Sequence, residues 1–395
     1  MSRADLERIW RAGVAACQPA RVLPPHLPEP PRGRTIALAV GKAAGGMAET
    51  LEQHWPWPLA GVAVVPHGTE AALERIELLH AAHPIPAEAS VAAAERLMAA
   101  AAEAGPDDLV LVLLSGGASA LACLPGEGLT LNEKRRVTEA LLRSGASIGE
   151  INAVRRSLSR IKGGRLGVAA APARLVTLAL SDVPGDRAQD IGSGPTVAHS
   201  ADIAGAQQVL RRYGIEAPAR GWSEAPKLVA GEYRLIASNA EALAAAADEA
   251  RTLGYAPLML GACTGEAREV GRAHGALALD QAPGTMLISG GELSVAVTDG
   301  GSGGRNCEYA LAAAIALAGA SNVSGLAADT DGIDGSAEAA GAFFDGSTVA
   351  RSRRDPAEAL AANDSGGFFA ALEDAFVTGP TGTNVSDLRI LLTAY

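Results

Sequence analysis

The sequence at residues 34–47 is RTIALAVGKAAGGM, an apolar run followed by a glycine-rich turn that contains Lys42. The same order recurs where LVLVLL (109–114) meets SGGAS and where RLVTLAL (174–180) meets SDVPGD. Apolar strands that alternate with helices are typical of a parallel sheet covered on both faces. We therefore predict an α/β fold, with ligands bound by the turns at the carboxyl ends of its strands.

The last third of the chain has a different rhythm. After TMLIS (285–289) and the glycine pair that follows it, LSVAVT (293–298) alternates apolar and polar residues. Such alternation predicts a half-buried antiparallel strand. A helix at 308–317 and a further strand that ends at Asp329 come next.

The chain is long enough for two domains, with 395 residues. Prolines and glycines interrupt the helical pattern at about residues 220–235. We therefore predict domains of residues 1–230 and 231–395.

Charge and composition exclude several classes of protein. The 33 Lys+Arg against 44 Asp+Glu give a formal net charge of −11, which argues against nucleic-acid binding. Every apolar run is shorter than the about 20 residues of a membrane-spanning helix, or is interrupted. The N-terminus lacks the features of a secretory signal, and the four cysteines lie far apart, so neither a disulfide framework nor a zinc site is expected. We expect a cytoplasmic protein without nucleic-acid or membrane partners.

Two glycine-rich turns predict anion binding. The turn at 41–46 (GKAAGG) places a lysine and backbone N–H groups at the start of a helix, and SGGAS at 115–119 has a similar pattern. A tight turn with a solvated lysine is the alternative interpretation. A dinucleotide fingerprint is only weakly supported, because GxGxxG lacks one glycine here and no acidic residue ends the next strand, Val62–Val65.

Two acidic loops predict a divalent cation. Asp182 and Asp186 bracket Val-Pro-Gly, and Asp329, Asp331 and Asp334 lie within DTDGIDG. Carboxylates this close suit Mg²⁺ held together with substrate phosphates. The alternative for each loop alone is an Asx-rich turn.

Basic residues in glycine-rich turns complete the set of candidates. Arg305 follows a loop with four glycines, and arginine in such a loop clamps carboxylate or phosphate groups. For Arg155, Arg156 and Arg165 taken singly, surface solvation is the alternative.

Together these motifs resemble the glycerate 2-kinase family with a C-terminal MOFRL domain, whose members are often labelled hydroxypyruvate reductase. The matching segments follow in order along nearly the whole chain: VGKA (40–43), LLSGGASAL (113–121), INAVRRSLSRIKGGRL (151–166), LSDVPGD (180–186), IGSGPTV (191–197), SGGE (289–292), GGRNCEYAL (303–311), DTDGIDG (329–335) and TGPTGTNVSDL (378–388).

The resemblance implies both a fold and an activity. The fold is a Rossmann-like α/β/α N-terminal domain and a smaller mixed-sheet α/β C-terminal domain, with the active site in the cleft between them. The activity is ATP-dependent phosphorylation of D-glycerate at its 2-hydroxyl, giving 2-phosphoglycerate and ADP, with Mg²⁺. D-Glycerate and ATP are then the expected small-molecule partners, and a homodimer is left open as the assembly.

Within this family, site residues can be assigned. We expect Lys42 and Arg305 to face the transferred phosphoryl group and the glycerate carboxylate. Asp182 or Asp186, together with Asp329, would hold Mg²⁺ or accept the hydroxyl proton; we assign Asp182 to catalysis and Asp186, Asp329 and Asp331 to the metal. Residues expected to bind substrate or phosphate are Gly41, Ser115, Gly116, Gly117, Ser119, Asn152, Lys162, Gly291, Glu292 and Asn306.

Two other functions stay open at this point. One is an NAD(P)H-dependent hydroxypyruvate reductase, which the imperfect dinucleotide fingerprint disfavours. The other is a non-catalytic sensor of phosphorylated metabolites, whose ligand the acidic loops would repel unless a metal intervened.

Overall fold

The computed structural model describes residues 3–198, 203–224, 226, 229–297 and 300–394, and it divides into two compact units. The N-terminal unit comprises Val22–Leu180 and Asp186–Ile236. The C-terminal unit comprises Met1–Arg21, Ser181–Gly185 and Ala237–Tyr395. The first helix of the chain thus belongs to the C-terminal unit, while the division at residues 230 and 231 stays a prediction about independent domains.

The N-terminal unit is built on a six-stranded sheet. Its strands are β1 (Thr35–Val40), β2 (Leu59–Pro66), β3 (Ile76–Ala81), β4 (Leu109–Leu114), β5 (Arg174–Leu180) and β6 (Glu232–Ala237). They lie in the order β3-β2-β1-β4-β5-β6, which is the strand order of a Rossmann fold. The pairs from β3 to β5 are parallel, and β1 and β4 are buried along their whole length. This confirms the parallel sheet predicted from the apolar runs.

Helices connect these strands. In the first half of the chain they are α1 (Arg3–Ala16), α2 (Pro19–Val22), α3 (Ala44–His54), α4 (Glu88–Ala102), α5 (Ala118–Leu121), α6 (Leu131–Arg143), α7 (Ile148–Ser157), α8 (Arg165–Ala169) and α9 (Ile203–Arg212), with short 3₁₀ turns at Pro24–His26 and Ile191–Ser193. The local sequence explains where two of these helices, α6 and α7, begin. Thr130 with Glu133 and Ser147 with Glu150 form capping boxes, in which each partner satisfies a backbone N–H of the other.

The C-terminal unit has a second six-stranded sheet, and its strands are mixed in direction. They are β7 (Ala256–Ala262), β8 (Thr285–Gly291), β9 (Val323–Asp329), β10 (Gly341–Asp345), β11 (Ala375–Phe376) and β12 (Asp387–Thr393). The order is β11-β10-β9-β12-β8-β7, in which only the β7–β8 pair is parallel. This confirms the predicted mixed-sheet α/β architecture.

Helices cover both faces of this second sheet. They are α10 (Asn239–Thr252), α11 (Ala267–Leu279), α12 (Arg305–Ala316), α13 (Thr348–Arg351), α14 (Pro356–Ala361) and α15 (Ser365–Ala371), together with α1. Side chains of a strand point alternately to its two faces. Ile390 and Leu392 of β12 accordingly pack with α1 and α10, whereas Leu391 packs with α11, α12 and α15.

The strand predicted at 293–298 is wrong for the part that the structure describes. Residues 293–297 form no strand there, apart from one isolated bridge between Ser294 and Glu266. The Glu266 carboxylate accepts hydrogen bonds from Ser294 Oγ at 3.1 Å and from the Ala296 N–H at 3.3 Å. The segment is thus bound to the start of α11 instead of to a neighbouring strand, and Thr298 lies outside the described residues.

The predicted helix at 308–317 begins three residues earlier, at Arg305. The Asp334 carboxylate accepts hydrogen bonds from the backbone N–H groups of Asn306 and Cys307 at 2.9 and 2.8 Å. A carboxylate from a distant loop therefore caps the helix, which short-range patterns do not show. Across the described helices, none combines the length and apolarity needed to cross a bilayer.

Candidate functional site

The turns after β1 and β4 lie side by side in the N-terminal unit. Val40 is opposite Leu114 in the parallel register, so Gly41-Lys42 and Ser115-Gly116 leave the sheet together. The sequential order of the strands reverses between β1 and β4, and the carboxyl edge at such a switch point is where open α/β sheets bind ligands. The structure thus brings two predicted anion-binding turns to one place.

These two turns are fixed to each other. The Lys42 N–H donates to the Gly116 carbonyl at 2.8 Å, and the Ala43 N–H donates to Ser115 Oγ at 3.0 Å. Gly41 has a φ of +135°, and a Cβ on it would lie 2.1 Å from Ser115 Oγ. Ser115 is fully buried, so its hydroxyl positions the lysine turn. Both amides are thereby engaged within the protein, and the Ala44 N–H at the start of α3 donates to the Gly41 carbonyl at 3.2 Å.

Gly117 brings a further side chain to this place. Its φ is +80°, and a Cβ on it would lie 3.1 Å from the His83 ring and 3.3 Å from Lys42 Cγ. His83 therefore stands against the same glycine as the stem of Lys42. It is not among the predicted site residues, although its position two residues beyond β3 was the signal that could have found it.

A second group of polar side chains surrounds Ser119 at the start of α5. Ser119 Oγ accepts hydrogen bonds from Lys162 Nζ and Arg155 Nη2, each at 2.7 Å, and lies 3.0 Å from Ser193 Oγ. Burial lowers the pKa of Lys162 well below that of an ordinary lysine, and the neighbouring Arg155 lowers it further. The structure brings together Ser119 and Lys162, which were predicted, and adds Arg155 and Ser193 to them.

Asn152 lies near this group but has a partner of its own. Its Nδ2 donates to Asp190 Oδ1 at 3.4 Å, and the same carboxylate pairs with Arg156 at 3.5 Å and with Arg187 at 2.6 Å. Asp190 therefore neutralises Arg156 and holds Asn152. The predicted role of Asn152 in phosphate binding stays a prediction.

In the C-terminal unit, Arg305 stands among three carboxylates. Its Nε donates to Asp387 at 2.9 Å, Nη1 to Glu292 at 2.8 Å and Nη2 to Asp329 at 2.8 Å. The sheet register explains the meeting, because Asp387 at the start of β12 is paired with Gly291 and with Asp329. Arg305, Glu292 and Asp329, all predicted, are thus brought together.

Asp387 and Arg389 are the charged residues that sequence reasoning missed here. Both are fully buried, and Arg389 donates to Asp387 Oδ2 at 2.5 Å and to the Gly290 and Gly291 carbonyls. Burial by itself would raise the pKa of Asp387, but Arg305 and Arg389 hold it below its ordinary value. The available signal was a pair of opposite charges two residues apart in an otherwise apolar strand, DLRILL.

Two further predicted residues are held within this network. Asn306 Nδ2 donates to Asp387 Oδ1 at 2.8 Å and contacts Asp334 Oδ1 at 3.3 Å. Gly291 has a φ of +82°, and a Cβ on it would lie 2.4 Å from the Cys263 carbonyl. Asn306 thus orients the buried carboxylates, and Gly291 is required by the close approach of β7.

The predicted metal ligands do not form a complete cluster. Asp329 Oδ1 accepts the Asp331 N–H at 3.1 Å, so these two lie together at the end of β9. Asp182 of the C-terminal unit contacts Asn384 Nδ2 at 3.2 Å, whereas Asp186 belongs to the N-terminal unit. In the part of the chain that is described, no three His, Cys, Asp or Glu side chains are grouped so that they could hold a metal ion.

Comparison with known proteins gives matches along the chain. A family model described as a domain of unknown function (DUF4147) matches residues 5–221, and the MOFRL family model matches residues 285–387. A relative from Agrobacterium vitis, provisionally named hydroxypyruvate reductase, is 47% identical and covers 99% of this chain and 94% of its own. A Thermotoga maritima relative named D-glycerate 2-kinase is 39% identical over 97% of this chain and 96% of its own.

A solved structure agrees with these matches. The crystal structure of a glycerate kinase from Thermotoga maritima superposes with a TM-score of 0.87 at 38% identity, covering 98% of both chains. The chain therefore belongs to the glycerate kinase family defined by the DUF4147 and MOFRL models.

Proposed function

We propose that the chain is an ATP-dependent kinase that phosphorylates D-glycerate at its 2-hydroxyl, giving 2-phosphoglycerate and ADP. The observation that carries the proposal is the lysine turn locked to a glycine-rich turn at the switch point of the parallel sheet. The identity of the substrate comes from the likeness to D-glycerate 2-kinase over nearly the full length of both chains.

The N-terminal unit supplies cationic groups for phosphates. Phosphoryl transfer depends mainly on positioning and on stabilising the charge of the transferred group. Lys42 has its backbone fixed by Gly116 and its stem packed beside Gly117. We assign its ammonium to the transferred phosphoryl group, with His83 beside it as a second donor.

The role of Arg305 differs from that of a guanidinium that binds only the anions of the substrate. The three carboxylates around it outnumber its single positive charge, so in this arrangement it holds Asp329 and Glu292 in place. A guanidinium has five N–H donors, and the bonds to its three carboxylate partners leave donors for a substrate oxygen. We therefore propose that Arg305 orients the acidic residues first and contacts substrate second.

The donor set at the end of β9 fits Mg²⁺. Magnesium is usually held by one or two carboxylates together with substrate phosphates and water, so a complete protein cluster is not required. Asp329 and Asp331 would hold it, and Asp186 and Asp182 stay candidates for ligand and proton acceptor. When bound, the ion neutralises charge on the phosphates. Asp182, held by Asn384, is the carboxylate that we assign to accept the hydroxyl proton.

A reductase is the second candidate function, because the Agrobacterium vitis relatives at 47% and 44% identity carry that provisional name. The geometry disfavours it. A dinucleotide fingerprint needs backbone amides open to the pyrophosphate, whereas the Lys42 and Ala43 amides are bonded to the β4 turn. The strand β2 ends in Pro66-His67, without an acidic residue for a ribose.

One set of assays separates the candidates. Purified chain with D-glycerate, ATP and Mg²⁺ should release ADP only when D-glycerate is present. Oxidation of NADH or NADPH by hydroxypyruvate, with no ADP release from glycerate, would overturn the kinase proposal. Tight binding of phosphorylated hydroxy acids without any turnover would instead favour a sensor. For such a kinase we expect the cytoplasm as its compartment, and the homodimer stays a prediction.

A further inference from the structure

Three basic side chains in the interior of the N-terminal unit have no Asp or Glu partner in the part of the chain that the structure describes. Lys134 and Lys162 are buried and Arg155 is half-buried. The ionisable groups around them are one another, Arg156, Arg165 and the Cys123 thiol. Within the described ranges, no Asp or Glu pairs with any of the three. Asp190, the carboxylate near this group, is already shared by Arg156 and Arg187.

Such an arrangement is costly unless an anion arrives. Buried charges are normally paired, because removing them from water without a partner costs several kcal/mol. Here the lysines have only neutral acceptors: Lys134 donates to the Leu158 carbonyl at 2.7 Å, and Lys162 donates to Ser119. Among the described residues no carboxylate balances these groups, which is the arrangement expected of a site that receives a negative group.

The hydroxyl groups at this place indicate where that group would bind. A hydroxyl has one proton and two lone pairs. Lys162 and Arg155 fill the lone pairs of Ser119 Oγ, so its proton is directed to Ser193 Oγ at 3.0 Å. The proton of Ser193 is then available for an acceptor beside Arg155.

The backbone at Ser193 supports the same interpretation. Ser193 has a φ of +64° and lies between Gly192 and Gly194, whose φ values are +57° and +60°. A left-handed serine is strained and persists where its surroundings fix it, which is common at ligand-binding sites. This conformation places the Ser193 hydroxyl against Ser119.

From this geometry we propose that Arg155 and Ser193 bind the carboxylate of the hydroxy-acid substrate, with Lys162 as the residue that positions Ser119 behind them. The proposal rests on the proposed function for the identity of the substrate. Arg155 is the half-buried member, and a guanidinium matches the two oxygens of a carboxylate with two parallel N–H donors. The Lys42 turn is left to the phosphates of the nucleotide.

The test is equilibrium binding, since it does not require turnover. Binding of D-glycerate is measured calorimetrically on the full chain, in the presence of Mg²⁺ and a non-hydrolysable ATP analogue. Arg155→Met should raise the Kd for D-glycerate about 30-fold or more, the loss typical of a buried charge pair, and leave the Kd for the nucleotide analogue unchanged. The matched control is Arg143→Met, because the Arg143 side chain is 83% exposed.

A second probe and a second variant sharpen the result. The carboxamide of D-glycerate should bind wild type and Arg155→Met equally weakly, since it lacks the charge. Arg155→Lys keeps the positive charge but lacks the two parallel N–H donors of the guanidinium. It should raise the Kd for D-glycerate less than Arg155→Met does. It is the deciding variant if Arg155→Met does not fold.

Several outcomes would overturn the proposal. An unchanged Kd for D-glycerate in both Arg155 variants would do so, and so would a rise confined to the nucleotide analogue, which would assign the cations to a phosphate. Wild-type ADP release is measured separately. Active wild type with unaffected Arg155 variants removes this subsite alone, whereas wild type that binds D-glycerate without turnover removes the kinase proposal alone.

Discussion

Single charged residues are used in opposite ways in the two units. The N-terminal unit buries Lys134 and Lys162 beside neutral acceptors, an arrangement that suits the anion binding proposed above. The C-terminal unit surrounds Arg305 with carboxylates, which makes it acidic and suited to a cation. A kinase needs both kinds of group, one for phosphate and carboxylate oxygens and one for the metal and the hydroxyl proton.

At this scale, Lys42 should be essential for activity. Lys42→Ala removes the ammonium from the turn that leaves β1 but keeps the backbone N–H that donates to the Gly116 carbonyl. Loss of a charged group that stabilises the transferred phosphoryl should lower kcat/KM about 10³-fold or more. Steady-state kinetics of ADP release checks this, with Arg143→Ala as the control on an exposed cation. Near-wild-type kcat/KM in Lys42→Ala would remove Lys42 from the mechanism.

Titration of Lys134 should make the free energy of unfolding depend on pH in the alkaline range. Burial lowers the pKa of Lys134 from 10.5 to about 8. Between these values the unfolded chain binds a proton that the folded chain has released, so the free energy of unfolding contributed by this residue rises with pH. A shift of this size corresponds to about 3 kcal/mol.

Urea unfolding of wild type and Lys134→Met from pH 7 to pH 10 measures this contribution. The rise with pH should be smaller in Lys134→Met, because methionine cannot titrate. Parallel curves for the two proteins would show that the Lys134 ammonium is not desolvated as the structure indicates.

Among the elements, the strand-to-helix turns were the best predicted. Continuous apolar runs predict buried parallel strands, and β1, β4 and β5 lie where those runs stand. The prediction at 293–298 was wrong because the backbone and side chains there bond to the Glu266 carboxylate and not to a neighbouring strand. Asp387 and Arg389 were missed because β12 resembles a core strand locally, and their partners come from β8, β9 and α12 through long-range register.

The turn after β1 offers a test at the scale of one element. Gly41→Ala would place a Cβ 2.1 Å from Ser115 Oγ and 2.6 Å from the Ser115 carbonyl, which would push the lysine turn away from β4. A displacement of about 1 Å in a catalytic group can cost about 10²-fold in rate. We expect kcat/KM to fall by at least that factor.

Gly68→Ala is the matched control for this turn. Gly68 also has a positive φ, +82°, but nothing lies within 4 Å of its Cβ position. It should lose about 1–2 kcal/mol of stability and keep its activity. Equal activity losses in the two variants would show that left-handed strain, and not contact between the turns, is responsible.

For the whole molecule, the sequence predicts two units but not how the chain is divided between them. The N-terminal segment forms α1. Nothing local shows that Leu6, Ile9 and Trp10 pack with α10 and β12, because these contacts join residues more than two hundred positions apart. Long-range pairing of this kind is decided by the total burial of apolar surface and not by local pattern.

This division predicts how fragments behave. Residues 237–395 alone should expose the surface that α1 covers and unfold without a sharp transition. Cys17 Sγ lies 3.7 Å from the Ser238 carbonyl, so a short flexible linker can join residues 1–21 to residue 237. The fused fragment should show a cooperative thermal transition in circular dichroism. A sharp transition in 237–395 by itself would contradict the assignment of α1 to this unit.

The central claim is the reaction itself, and product identification tests it most directly. Purified chain is incubated with D-glycerate, ATP and Mg²⁺, and the product is examined by phosphorus and proton NMR. We predict 2-phosphoglycerate, with the phosphorus coupled to the single proton on C2, and one ADP for each molecule formed. Phosphorus coupled to the two protons on C3, or no phosphorylated product at all, would contradict the account.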